Sequence, residues 1–201
     1  MKTQTPQGHQ DLGLLIGAGA DQAALSTYLD GLDDAARVRE VRSLARKDLG
    51  ALYERCASSP PLRLGDFLPA SIPTGQTVIC AGLNNLPMFR VFEKRLVRTA
   101  SGQVFGFNFQ SMSFVTGPGY FEVTESGSEL LFDYTKVPSQ SDVPADWPKV
   151  KPNSSGFSMF VYQDLHDFCR RVSRDVVIGH ATRRQESLPQ YFVLARRSDG
   201  A

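Results

Sequence analysis

Near residue 90 the hydrophobic period of this chain changes from 3.6 to 2, and that change restricts its folds more than any other feature. Before it, Leu25, Tyr28, Leu29 and Leu32 recur at i, i+3, i+4 and i+7. Val38, Val41, Ala45, Leu49, Leu52 and Cys56 carry a second helical stripe to about Ala57. After it, strand patterns run over Val91–Thr99, Gln103–Val115, Gly119–Thr124 and Glu129–Val137. The turn signals between them, Ser101-Gly102, Gly117-Pro118-Gly119 and Ser126-Gly127-Ser128, are a few residues long. A parallel crossover needs a dozen residues or more, so these strands form an antiparallel meander.

The remaining segments follow from punctuation. Residues 1–20 read as a flexible leader. Asp21 is placed to cap a first helix, and Gly31 followed by Asp33 and Asp34 gives a break and a fresh cap, so 21–57 is a helical hairpin. Across 58–90, Pro60, Pro61, Pro69, Pro73 and Pro87 interrupt any long element, which predicts a connector with one short strand at Thr77–Cys80. A Pro- and Ser-rich loop, Pro138–Gly156, holds the single tryptophan, Trp147, as either a binding-loop residue or a packing anchor. Phe157, Phe160, Val161, Leu165, Phe168 and Val172 then share one stripe of a helix over 157–173, capped by Ser154 or Ser155. Strands at Asp175–Arg183 and Gln190–Arg197 finish the pattern. So many strands must lie under helices or close into a barrel to satisfy their edges. The fold class is α+β, mainly β: an antiparallel β-barrel over 91–201 with the helix 157–173 inserted before the last strand pair, preceded by the hairpin.

Composition removes several function classes. In 201 residues there are 22 Lys+Arg and 21 Asp+Glu. The basic run Arg37, Arg39, Arg42, Arg46 and Lys47 is interleaved with acids and lacks an aromatic for base stacking, so it reads as a solvated helix face and no nucleic-acid partner is expected. No apolar run reaches the roughly 18 residues of a membrane span. Cys56, Cys80 and Cys169 are odd in number and widely spaced, which predicts free thiols and a cytoplasmic location. The lesser alternative is secretion after cleavage near Ala20, since Lys2 precedes the apolar stretch Leu12–Gly17 and Ala18-Gly19-Ala20 has the small-residue form of a processing site. Gly17-Ala18-Gly19 fails as a dinucleotide loop because Gln22 stands where a small residue must allow close packing. No cofactor or metal motif is present, and neither is a nucleophile elbow or a phosphate loop.

Alternation then nominates a site. It groups Phe105, Phe107 and Phe109 with Phe121 and Val123, with Leu130, Phe132 and Tyr134, and with Val176, Ile178 and His180. Such an aromatic interior is either solid core or the wall of a cavity. Ser111, Tyr134 and His180 end the apolar faces with polar groups, the composition of a ligand pocket. A one-residue shift of register reverses every such assignment. In that event Asn108 and Gln110, on the other face of the longest strand, become the polar handles.

Residues 172–181, Val-Ser-Arg-Asp-Val-Val-Ile-Gly-His-Ala, with 191–197, Tyr-Phe-Val-Leu-Ala-Arg-Arg, resemble the closing strand pair of lipocalin-like (calycin) barrels. The chain lacks the Gly-x-Trp of lipocalins near the first strand, since Trp147 is late and follows Ala145-Asp146. The resemblance implies an internal site for a hydrophobic small molecule. Two functions are therefore expected: binding a hydrophobic or aromatic small molecule, or, as the alternative, a cofactor-independent isomerase, cyclase or hydrolase using His180 or Tyr134 as acid–base. An enclosed His180 near Tyr134 favours the enzyme, and a surface His180 removes it.

Overall fold

The structure, a computed structural model, describes residues 11–110, 117–154 and 158–197. Eight antiparallel strands form a closed barrel in chain order: β1 Val78–Asn84, β2 Val91–Arg98, β3 Val104–Phe109, β4 Tyr120–Ser126, β5 Glu129–Asp133, β6 Leu165–Arg171, β7 Val176–Arg183 and β8 Glu186–Arg196. β1 pairs with both β2 and β8, which leaves no edge. Helices α1 Leu12–Gly17, α2 Gln22–Asp30, α3 Asp34–Ser43 and α4 Arg46–Arg55 precede the barrel, with the single turn α5 Leu64–Phe67. A further turn, α6 Ser158–Tyr162, precedes β6.

Several expectations change. The segment read as leader holds α1, capped by Asp11, whose carboxylate accepts from the Leu14 amide at 2.7 Å, and Leu12 and Ile16 are buried. Asp21 and Asp33 cap α2 and α3 as their positions predict. The expected second helix breaks at Leu44, where ψ is 136°, and Asp48 accepts from the Ala45 amide at 2.8 Å to start α4. The region read as a connector supplies β1, a full barrel strand. The predicted helix 157–173 is a turn followed by β6, with Leu165, Asp167 and Cys169 buried in alternation. That alternation was hidden because its middle member is a carboxylate, which counts as polar unless its buried partner is known.

The core has three parts. Inside the barrel, Leu96, Val104, Phe121, Val123, Leu130 and Phe132 pack together, and Phe67 of α5 with its flanking Leu62 and Leu68 joins them. Outside β1, β7 and β8, the helices bury Leu25, Leu29, Val41, Leu49 and Leu52 against Leu83, Ile178 and Val193. Arg37, expected on the solvated face, is instead buried: it bonds the Leu29 and Leu32 carbonyls and pairs with Asp34 and with Asp175, which also holds Arg196. Outside β3, Trp147 packs on Phe107 at 4.7 Å between ring centroids and donates to Thr77 Oγ1 at 3.0 Å, so it is an anchor for the long loop.

Glycines admit the inner side chains. A Cβ on Gly179 would lie 2.1 Å from the Phe192 ring, and one on Gly106 would lie 2.6 Å from the Arg95 carbonyl oxygen. Backbone cannot yield as a side-chain tip can, so Gly106→Ala is expected to destabilise the barrel by roughly 1–3 kcal/mol in urea unfolding. The free cysteines give a pH dependence. Burial pushes the Cys56 thiol up to about 11 and Cys80 up to about 12, and raises Cys169 as well. The folded state therefore prefers the protonated thiol, and its contribution is fully present below the unfolded value of about 8.5 and is lost as pH rises above it. The urea midpoint should fall between about pH 8.5 and 11, and a thiol reagent at about pH 8 should label the native protein only after unfolding.

Candidate functional site

The alternation that was expected holds on β4 and β5 and is reversed on β3 and β7. Phe105, Phe107 and Phe109 face outward: Phe105 and Phe107 are buried on the outer wall, and Phe109 is exposed with the Arg95 guanidinium 4.1 Å over its ring. The inner residues of β3 are Val104, Gly106 and Asn108. Both faces of this strand are apolar because loop 138–154 covers the outer one, and so alternation alone gave no direction. On β7 the inner residues are Val177, Gly179 and Ala181. His180 lies on the outer wall, its ring 5.3 Å from Tyr53 and 5.2 Å from Tyr191, with Nε2 2.8 Å from the Leu188 carbonyl and 3.0 Å from Ser187 Oγ. It makes no contact with Tyr134, which removes it as the acid–base partner. Ser111 lies outside the described residues.

The inner face holds a group that sequence reading missed. Lys94 on β2 points into the barrel and is 2% exposed. Its ammonium donates to Asn108 Oδ1 at 3.1 Å, to Asp167 Oδ2 at 3.0 Å and to the Tyr134 hydroxyl. Asn108 Nδ2 donates to the Tyr134 oxygen at 3.0 Å, and that hydroxyl lies 3.2 Å from Asp167 Oδ2 as donor. Strand register produces the arrangement, since Lys94 is the direct partner of Asn108 and Phe132 that of Asp167. Aromatic rings surround the cation, with Nζ 4.7 Å from the centroid of Phe121 and 5.0 Å from that of Phe192. The signal available in the sequence was the lysine at an inward position of β2, between Phe92 and Leu96.

Burial, and then the charge of Asp167, raise the Tyr134 hydroxyl well above its ordinary value. It therefore stays protonated and acts as a hydrogen-bond donor, a poor base. The three ammonium protons are all occupied. Among the bonds of the described residues, Asp167 keeps unused lone pairs and Asn108 keeps its second amide proton.

Above this cluster the barrel is hollow. A cavity of about 370 Å³ opens at the end of the barrel formed by the β1–β2 loop and α6. Tyr134, Asn108, Lys94 and Asp167 form its floor, Phe92, Leu165, Ala181 and Phe192 its walls, and Met88, Phe89 and Val161 its rim. Gln110 also lines it, whereas Phe132 lies in the solid core beneath. Among the described residues, no three His, Cys, Asp or Glu side chains are grouped to hold a metal, and no helix is long and apolar enough to cross a membrane.

The chain matches no protein-family model and no curated protein. Among solved structures it is similar to the crystal structure of a protein of unknown function from the DUF3598 family of Nostoc punctiforme, at 11% identity and a TM-score of 0.29. The match covers 68% of this chain and 49% of that one, so the chain spans about half the length of its neighbour. The closed eight-stranded barrel is consistent with the lipocalin-like resemblance, without assigning a specific family.

The floor generates a stability prediction. Removing one partner of a buried pair strands the other charge, at about 3–5 kcal/mol, while replacing both with apolar groups restores most of the loss. Lys94→Met is thus expected to be far less stable in urea than the double variant Lys94→Met/Asp167→Leu.

Proposed function

We propose that this protein binds an apolar or aromatic small molecule inside the barrel, the molecule entering at the rim and directing one polar end to the Lys94–Asp167–Tyr134–Asn108 floor. The observation that carries this reading is the cavity itself: its volume is in the range of small-molecule sites, its walls are largely apolar, and Lys94, Asp167, Tyr134 and Asn108 converge at its closed end. Leu86, Phe92, Leu165 and Phe192 supply the apolar surface, whose burial drives association.

The floor selects the polar end. A hydroxyl donates to a free lone pair of Asp167 and accepts from the second proton of Asn108. A carboxylate gains no new bond from Lys94, whose protons are taken, and meets the like charge of Asp167. Discrimination of this kind is worth on the order of tenfold or more.

A competition assay with a fluorescent apolar probe tests both statements. The probe is expected to bind the purified protein and to be displaced by an aromatic or long-chain alcohol at concentrations about tenfold lower than by the matching acid. Ala181→Phe, which fills the cavity from its wall, is expected to weaken probe binding at least about tenfold while the protein remains folded by circular dichroism. Absence of probe binding, or equal binding by Ala181→Phe, overturns the reading.

A further inference from the structure

Five large apolar side chains are exposed on two segments at the open end of the barrel. The β1–β2 loop and the first residue of β2 carry Met88, Phe89 and Val91, at 67%, 49% and 51% exposure, and α6 carries Met159 and Val161. Met88, Phe89 and Val161 line the cavity, so the two segments flank its entrance as a pair of prongs.

The β1–β2 prong is tied down by hydrogen bonds while Met88 and Phe89 stay exposed. Phe89 has φ 56°, a conformation costly for a bulky residue, and its carbonyl accepts from Asn84 Nδ2 at 3.2 Å. Asn84 Oδ1 accepts from the Leu86 amide at 2.9 Å, and Asn85 exchanges two bonds with Tyr191 on β8. A soluble surface gains nothing by holding a phenylalanine in this way.

Arginines stand directly beside the tips. Arg46 donates to the Pro87 carbonyl at 2.8 Å, and Arg183 donates to the Val161 carbonyl at 2.7 Å. Neither has a carboxylate partner among the described residues, whereas Asp164 is taken by Arg184. Arg90 folds back on the Leu44 and Asn84 carbonyls. Arg46, Arg90, Arg183 and Arg184 thus stand on the segments at this end of the barrel, and Arg46 and Arg183 touch the two prongs themselves.

We propose that this end of the barrel docks on an anionic lipid bilayer, with Met88, Phe89, Val91, Met159 and Val161 inserted among the acyl chains and Arg46 and Arg183 at the depth of the headgroups. Apolar insertion combined with attraction to anionic lipid is the chemistry of peripheral membrane binding. A flat protein partner has no use for prongs divided by a cavity, whereas a bilayer places the entrance in contact with apolar molecules. The inference rests on the cavity being a ligand site, and it names the surface from which the ligand comes.

Co-sedimentation with vesicles tests it. The protein is expected to sediment with phosphatidylcholine vesicles containing about one-third phosphatidylglycerol, to bind pure phosphatidylcholine much less, and to be released by salt. Val91→Ser/Met159→Ser alters two residues that do not line the cavity. It should lower vesicle affinity about tenfold or more while probe binding in lipid-free solution stays unchanged. Arg46→Gln/Arg183→Gln should reduce binding to the anionic vesicles alone. No sedimentation, indifference to phosphatidylglycerol, or unchanged affinity of the serine variant overturns docking, as does a dimer that the serine substitutions dissociate without any vesicle binding. Absence of probe binding by the unsubstituted protein, with its vesicle binding intact, overturns the ligand reading instead.

Discussion

A charged amine inside a barrel of phenylalanines is tolerable only if its charge is answered at hydrogen-bond distance, and much of the interior is arranged around that requirement. Lys94 is answered by Asp167 from the far side of the barrel and by Asn108 and Tyr134 between them. The four residues stand on or beside β2, β3, β5 and β6, so satisfying one ammonium aligns the register of four strands. A slip of one residue on any of them turns its polar group out of the barrel and leaves a buried charge unpaired. This is a sterner constraint than the apolar contacts, which tolerate exchange of one large side chain for another.

The same constraint explains what sequence reading captured and where it stopped. Strand positions were visible because turns and period are local properties: the observed β2, β4 and β7 begin or end within two residues of their expected bounds. Face assignment succeeded on β4 and β5, where Glu122, Thr124 and Glu129 mark the outer side. It failed on β3 and β7, whose outer faces are also apolar because loop 138–154 and the helices cover them. That covering is a property of distant segments, and no local pattern contains it. Glycine carried the missing information, since Gly106 and Gly179 stand where inner side chains cross and leave no room for a Cβ.

The candidate site was only half visible for a related reason. Tyr134 and the Asn108–Gln110 pair were nominated, the latter on the condition of reversed register, and all three line the cavity. Lys94 and Asp167 were passed over because each alone is an unfavourable core residue, and only the fold shows that they meet. His180 attracted attention as the residue type most used for proton transfer, yet it serves packing between Tyr53 and Tyr191 on the outer wall.

The position of the polar cluster also accounts for the cavity above it. Below Lys94 the barrel is filled by Leu96, Phe121, Val123, Leu130 and Phe132, and Leu62, Phe67 and Leu68 add to that packing. Continuing such packing above it would bury the remaining acceptor sites of Asp167 and the second proton of Asn108 without partners, at a cost of about 1–3 kcal/mol for each orphaned group. Leaving space there keeps those groups in reach of water or of a ligand that bonds them. The floor therefore ends the core and begins the site, and the space above it follows from placing at the waist of the barrel an ion pair whose surroundings keep unspent hydrogen-bonding groups.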